Sequence, residues 1–99
     1  MHAIVRQYTY DPAKLDHAGH VFSVVQALHA SQHGYAGSLV IDDGRHFIAV
    51  NLWETEDDAA AGRAAIGPRV QRLVAPLMTN GHSDILGAGQ VVAADPWRG

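Results

Sequence analysis

The chain has 99 residues, no cysteine and a formal net charge of −3, from seven lysine and arginine against ten aspartate and glutamate side chains. This length predicts one domain over residues 1–99, with 94–99 as a short tail. A chain this short buries only about 60–70 % of its unfolded surface, so without disulfides oligomerisation is the common source of extra stability. The acidic balance disfavours nucleic acid and anionic membranes as partners.

Two further features of the sequence bear on location. No apolar run approaches the roughly 20 residues that span a bilayer. The start, MHAIVRQY, lacks the apolar region of a signal peptide. With no cysteine as well, we expect a cytoplasmic protein and no contact with a membrane.

The first third of the chain predicts a strand and then a helix. Residues 2–10 are rich in β-branched and aromatic side chains, which favours a strand. Asp11 suits the N-cap of a helix with Pro12 at its first position. Apolar residues recur at helical spacing over residues 13–32, and Gly34 is the expected left-handed residue after the helix.

The rest of the chain predicts a hairpin, a second helix and a last strand. Residues 38–54 (SLVIDDGRHFIAVNLWE) contain two strands joined by a two-residue turn at Asp43-Gly44. Thr55 suits a helix N-cap, and this helix is expected to stop or kink at Gly67-Pro68. Residues 85–94 (ILGAGQVVAA) predict the final strand. The order strand, helix, strand, strand, helix, strand predicts an α+β fold, the ferredoxin-like βαββαβ sandwich with an antiparallel sheet.

A turn at Asp43-Gly44 would pair Val40 with Phe47 and divide the hairpin into two faces. The aliphatic face, expected to pack without water, carries Leu39, Ile41, Ile48, Val50 and Leu52. The mixed face carries Ala36, Ser38, Val40, Phe47, Ala49, Asn51 and Trp53. Apolar walls with a few polar groups are the composition of a ligand pocket, so the mixed face is the candidate binding surface.

The second predicted helix is rich in alanine from residue 59 to residue 65. Such small side chains let a helix pack close to a sheet, or leave room for a ligand between the two. The sequence alone leaves both arrangements open.

Two segments resemble the antibiotic biosynthesis monooxygenase-like family of dimeric α+β barrels. They are the junction LWETEDDAAAGRA, residues 52–64, and the turn HGYAGS, residues 33–38. Many members carry Trp-Glu-Ser/Thr followed by an acidic, alanine-rich helix start. The resemblance covers nearly the whole chain. It implies a homodimer in which two sheets pair into a shared barrel, with a cleft between the sheet and the helices of each subunit.

Some members of this family are cofactor-independent oxygenases of aromatic polyketides or quinols, and use an Asn and a Trp on the third strand to hold oxygen and substrate. Asn51 and Trp53 are the matching residue types, and the resemblance implies that they are catalytic. In those oxygenases the Asn precedes the Trp by four residues, the position of Ala49 here. Both spacings keep the two side chains on one face of a strand.

Each of the two residues also has a purely structural interpretation. The Asn51 amide would donate a hydrogen bond to a developing oxyanion, or satisfy backbone groups at a bulge or interface. Trp53 would stack on a flat substrate, or anchor the core or a dimer interface.

Other residues are candidates for contact with the substrate. Arg6 lies mid-strand with Tyr8 on its face, and its charge must find a partner or water. A histidine facing the cleft is a possible general base, with His20 and His29 as candidates. The full set of predicted substrate-binding residues is Phe47, Ser38, Ala49, Phe22, His29, Arg6 and Tyr8.

No cofactor and no metal are expected. His17 and His20, and also His29 and His33, have same-face helical spacing, but no further ligand completes a recognisable metal set. Other relatives degrade haem with a His on the second helix, and residues 56–78 contain no His, which disfavours that activity.

We therefore expect a cofactor-free oxygenase acting on a small planar aromatic molecule of polyketide or quinol type. A non-catalytic ligand-binding or structural dimer of the same fold is one alternative, and an isomerase or cyclase using the same cleft is another. A cleft open beside Asn51 would favour ligand binding. A cleft filled by Phe22, Trp53 and Met78 would exclude both the enzyme and the ligand-binding functions.

Overall fold

A computed structural model describes residues 1–79, 81 and 83–95, apart from the side chains of Leu15 and His17. The strands are β1 (His2–Thr9), β2 (Tyr35–Asp42), β3 (His46–Trp53) and β4 (Asp84–Gln90), and the helices are α1 (Ala18–Ala30) and α2 (Glu56–Val74). Short 3-10 helices cover Pro12–His17 and Ala75–Leu77. Residues 96–99 of the predicted tail lie outside the described residues.

The four strands form one antiparallel sheet in the order β2-β3-β1-β4. With the two helices this is the ferredoxin-like βαββαβ sandwich, so the predicted fold is confirmed. Among the described residues, no helix is long and apolar enough to cross a membrane.

The two helical segments, the 3-10 helix before α1 and the helix α2, begin at the predicted capping residues. The Asp11 carboxylate accepts a hydrogen bond from the Ala13 backbone at 3.0 Å, and the Thr55 hydroxyl accepts one from the Asp58 backbone at 3.0 Å. The first helical segment differs from the prediction, because it starts as a 3-10 helix and its α-helical part ends at Ala30 rather than near residue 32. Gly34 has the predicted left-handed conformation, with φ of 78°.

The sequence predicts a stop or a kink of the second helix at Gly67-Pro68, and the structure excludes the stop. α2 runs through Pro68 to Val74. Proline in a helix loses one backbone hydrogen bond and crowds the preceding residue. Here the preceding residue is a glycine, which has no Cβ to clash with the proline ring. Packing of the helix against the sheet, through buried residues such as Ile66 and Val74, then outweighs the lost hydrogen bond.

The hairpin turn lies one residue further along the chain than predicted. The Asp43 N–H donates to the His46 carbonyl at 3.1 Å, which leaves Gly44 and Arg45 as the turn. Gly44 has φ of 90°, a conformation that favours glycine. The Asp43 carboxylate accepts hydrogen bonds from the Arg45 and His46 backbones at 2.8 and 2.6 Å, and these bonds hold the pKa of that carboxyl below its usual value.

This shift changes the strand register but not the faces. Val40 pairs with Ala49 instead of Phe47, a displacement of two residues. Because side chains alternate with a period of two, an even displacement leaves every residue on its predicted face. A bulge near Gly37 makes one exception: Tyr35, not Ala36, pairs with Trp53 and joins the mixed face.

The mixed face of the hairpin carries the core. It packs against both helices, and the main cluster of buried residues comprises Tyr8, Tyr10, Ala18, Val25, Phe47, Ala49, Val74, Leu77 and Met78. The aliphatic face lies on the opposite side of the sheet, where Ile41 is 49 % exposed and Leu39, Ile48, Val50 and Leu52 are half-buried. Within the single chain, this face is therefore not packed dry.

Candidate functional site

A cleft of about 360 Å³ lies between the mixed face of the sheet and α2. It is open beside Asn51, whereas Phe22 and Met78 pack in or against the core cluster and do not line it. Its lining residues are Ile4, Arg6, Tyr8, His29, Asn51, Trp53, Ala59, Arg63, Ile66, Gly67, Pro68, Val70, Gln71, Val74 and Ser83. Of the predicted site residues, the structure brings together Asn51, Trp53, His29, Arg6 and Tyr8 in this cleft.

α2 contributes one helical stripe to the wall of the cleft. Ala59, Arg63, Ile66, Val70 and Val74 follow one another at intervals of three or four residues, the spacing of neighbours on one helix face. The stripe is mostly apolar, so the helix supplies the dry wall of the cleft and a single guanidinium group.

Gly62 sets the distance between α2 and the sheet at one end of the cleft. A Cβ atom at this position would overlap the ring of Trp53, and that ring is only 3 % exposed. The small-residue helix therefore packs closely at Gly62 and leaves open space beside it, so the two arrangements that the sequence left open both occur.

The Asn51 side chain is available to a ligand. It is half-buried at the cleft, and no hydrogen bond joins it to any described residue. A free amide offers two donors and one acceptor oxygen. The position two residues earlier on the same face is Ala49, which is buried in the core and does not line the cleft. Asn51 is thus the strand amide that a ligand in this cleft can meet.

Trp53 is held inside an aromatic cluster at the edge of the cleft. Its ring centroid lies 5.7 Å from that of Tyr35 and 6.0 Å from that of His29, within the range of favourable ring pairs. Since the ring is almost fully buried, only an edge of it can meet a ligand. The sequence predicted no part for Tyr35, because the bulge that brings it to this face has no clear signature beyond the glycine at 37.

His29 is oriented by a backbone contact. Its Nδ1 lies 2.8 Å from the Val25 carbonyl oxygen. A carbonyl oxygen can only accept, so Nδ1 carries the hydrogen and donates it. In the neutral ring Nε2 is then the unprotonated nitrogen and the one able to take a proton. The structure thus distinguishes the two candidate bases, because His29 lines the cleft while His20 is exposed and does not.

Arg6, Tyr8 and Ser83 form a polar group at one end of the cleft. The Arg6 guanidinium donates to the Ser83 hydroxyl at a long 3.4 Å. Burial raises the pKa of Tyr8 above its ordinary value, and the Arg6 charge and the Ser83 hydroxyl oppose this only in part. Tyr8 therefore stays neutral at physiological pH, and its hydroxyl can donate a hydrogen bond.

Four predicted binding residues lie outside the lining of the cleft. Phe47 and Ala49 are buried in the core cluster, and Phe22 packs against it, with its ring centroid 4.9 Å from that of Phe47. Ser38 accepts hydrogen bonds from the Tyr35 hydroxyl at 2.7 Å and the Gln26 amide at 3.2 Å. Phe47, Ala49 and Ser38 share the mixed face and Phe22 packs over it from α1, but all four sit away from the part of that face that stays open.

The sequence did not place Arg63, Gln71 or Ser83 at the site. For Arg63 the sequence leaves two roles open, binding of an anionic substrate or a place on a solvated helix face, and its helical spacing from the apolar residues of α2 is the signal that favours the first. Gln71 donates to the Gly81 carbonyl, and Ser83 lies in a loop, so neither had a pattern to reveal it.

His29 and His33, which the helical spacing placed on one face, have different partners. His33 faces Asp58, with Nε2 3.8 Å from a carboxylate oxygen, while His29 bonds to the backbone of its own helix. The side chain of His17, which would pair with His20, lies outside the described residues.

No family model matches the sequence, and no curated protein matches it. Several solved structures do match its fold. SnoaB, a cofactor-independent oxygenase from Streptomyces nogalater, is 19 % identical over 97 % of both chains, with a TM-score of 0.75. Proposed antibiotic biosynthesis monooxygenases from Deinococcus radiodurans (16 % identity, 100 % of both chains, TM-score 0.78) and Nitrosomonas europaea (15 % identity, 94 % of this chain and 100 % of that one, TM-score 0.77) are also similar.

These likenesses extend over nearly the whole length of each chain. At such identities they show the fold, which is that of antibiotic biosynthesis monooxygenase structures. The fold that the family resemblance implies for the single chain is therefore confirmed.

Proposed function

We propose that this protein is a cofactor-independent oxygenase of a planar aromatic molecule, of the polyketide or quinol type. The observation that carries the proposal is the cleft itself, which is open, mostly apolar along the α2 stripe, and lined by the Asn51 amide, which has no hydrogen bond to a described residue. SnoaB, which shares the fold, is a cofactor-independent oxygenase, and this likeness supports the choice of reaction.

In the proposed reaction His29 takes a proton from the substrate through Nε2. The anion that remains is stabilised by a hydrogen bond from the Asn51 amide. The electron-rich anion then reacts with dioxygen. For an anthrone, the ring CH₂ becomes a carbonyl: one oxygen atom enters the product, and the other leaves as water with the two hydrogens lost from carbon. The reaction consumes one dioxygen and needs no external reductant.

Oxygen uptake tests this function directly. We expect the wild-type protein, without added cofactor, to consume one dioxygen per molecule of at least one compound in a panel of anthrones and hydroquinones. Substrate turnover without oxygen uptake would instead indicate an isomerase or cyclase, since His29 and Asn51 are equally suited to moving a proton. Tight binding of the panel without turnover would indicate a ligand-binding protein.

We also propose that two copies pair through the aliphatic face. Five apolar residues of the hairpin lie there at most half-buried in the single chain, Leu39, Ile41, Ile48, Val50 and Leu52, and contiguous apolar patches of this kind mark interfaces. Light scattering should give a mass of about twice the 10.6 kDa of one chain. Val50→Lys should give monomers, because an unpaired charge in a dry interface is costly.

The exposed Arg72→Glu variant is the control for the dimer, since it alters charge on α2 without touching the aliphatic face. A monomeric wild-type protein, or a Val50→Lys variant that remains dimeric, would contradict the proposed pairing.

A further inference from the structure

The charges lining the cleft are all of one sign. Two guanidinium groups, Arg6 on β1 and Arg63 on α2, belong to its wall, and none of the described residues of that wall is acidic. Among the described residues, neither arginine has a carboxylate within 4.0 Å, the ion pairs there being those of His33 and His46. The whole chain has a net charge of −3, so the positive charge of the cleft comes from these two arginines and not from the overall composition.

The neutral polar groups of the cleft reinforce this bias. The Tyr8 hydroxyl and the Asn51 amide can both donate. An apolar cleft that is rich in donors and lacks carboxylates suits an anionic ligand better than a neutral or cationic one.

Arg63 occupies a particular place among these groups. With Ile4 and Ala59, it lines both the cleft and a neighbouring cavity of about 480 Å³. That neighbouring cavity also contains Glu54 and Glu56. A negative group of a ligand in the cleft would be attracted to Arg63 and repelled by Glu54 and Glu56 of the neighbouring cavity. Arg63, at the wall between the two cavities, is therefore the expected binding position of such a group.

We propose that Arg63 selects the ligands of this cleft by binding a carboxylate on a planar aromatic acid. The flat guanidinium matches a carboxylate through two parallel hydrogen bonds, while the aromatic ring lies against Ile66, Val70 and Val74. The proposal rests on the proposed function, in which the cleft binds an aromatic ligand, and it further specifies that this ligand is an anion. Arg63 is a specificity residue in this account and takes no part in proton transfer.

Calorimetric titration with two probes of equal size tests the proposal. We expect the wild-type protein at neutral pH to bind 2-naphthoate at least about tenfold more tightly than the neutral 2-naphthamide. Arg63→Gln should remove most of this preference and leave the affinity for naphthamide within about twofold. Arg63→Lys should retain part of it, because the charge remains but the two-pronged geometry is lost.

Arg72→Gln is the matched control, since Arg72 is exposed on the same helix and lines neither cavity, and it should behave as wild type. Raising the salt concentration should weaken naphthoate and not naphthamide, a measurement that needs no variant. Equal binding of the two probes, no binding of either, or an unchanged preference in Arg63→Gln would overturn the proposal. Because these titrations require no turnover, a protein that fails to consume oxygen could still show the preference.

Discussion

Asn51→Ala is expected to lower kcat for oxygen uptake by about 10²–10³-fold, the usual cost of losing one donor to a developing anion. The loss should fall on kcat more than on KM, because the hydrogen bond strengthens as charge develops after deprotonation. Stability should change little, since the Asn51 side chain has no hydrogen bond to a described residue that truncation would break. Oxygen-electrode kinetics and thermal unfolding measure the two effects.

The matched control for Asn51→Ala is Ser38→Ala. Ser38 pairs directly with Asn51 across the hairpin and shares its face, but its hydroxyl is engaged with Tyr35 and Gln26 and does not line the cleft. Ser38→Ala should keep most of the activity. Turnover that is unchanged in Asn51→Ala would remove Asn51 from the mechanism, and equal losses in the two variants would point to disturbed packing of the mixed face.

The division of the hairpin into two faces is the part of the site that sequence predicts well. The period of two makes each residue's face insensitive to any even shift of register. The turn moved from Asp43-Gly44 to Gly44-Arg45, yet Asn51 and Trp53 stayed on the face that packs against the helices. Only the bulge near Gly37 breaks the alternation, and it places Tyr35 instead of Ala36 on the mixed face.

Position along that face is harder to predict. Phe47, Ala49 and Asn51 are equivalent by alternation, but only Asn51 meets the cleft. The difference comes from what packs above each residue. Core side chains of α1 and of the end of α2 cover Phe47, whereas Asn51 faces open space. Such depth depends on helix placement, which no local pattern in the strand encodes.

The helix side of the cleft was missed for a related reason. A run of alanine and glycine has a weak apolar stripe, so the face that α2 turns to the sheet is not evident from residues 59–65 alone. Pro68 added to the difficulty, because its local preference predicts a break while tertiary packing keeps the helix continuous. Val70 and Val74 extend the apolar stripe past Pro68 only because the helix continues to Val74.

His29→Gln is expected to lower kcat/KM for oxygen uptake by about 10²–10⁴-fold, the range for loss of a general base. Glutamine retains an amide that can donate to the Val25 carbonyl, as Nδ1 of His29 does at 2.8 Å, but it cannot take a proton at the position of Nε2. Because glutamine can keep the hydrogen bond to the helix backbone, the variant should unfold at nearly the wild-type temperature. A loss of activity without a loss of stability would then indicate a missing base and not a disturbed helix.

Two further measurements separate a catalytic His29 from a structural one. Added imidazole should restore part of the rate in a smaller variant, His29→Gly, by supplying the missing base, whereas no exogenous base repairs a packing defect. His33→Gln, a change four residues further along the chain at a side chain that is 92 % exposed, should be as active as wild type. Since Trp53 and Tyr35 pack around His29, a rate loss that imidazole leaves untouched would assign this histidine to the aromatic cluster and require another base for the reaction.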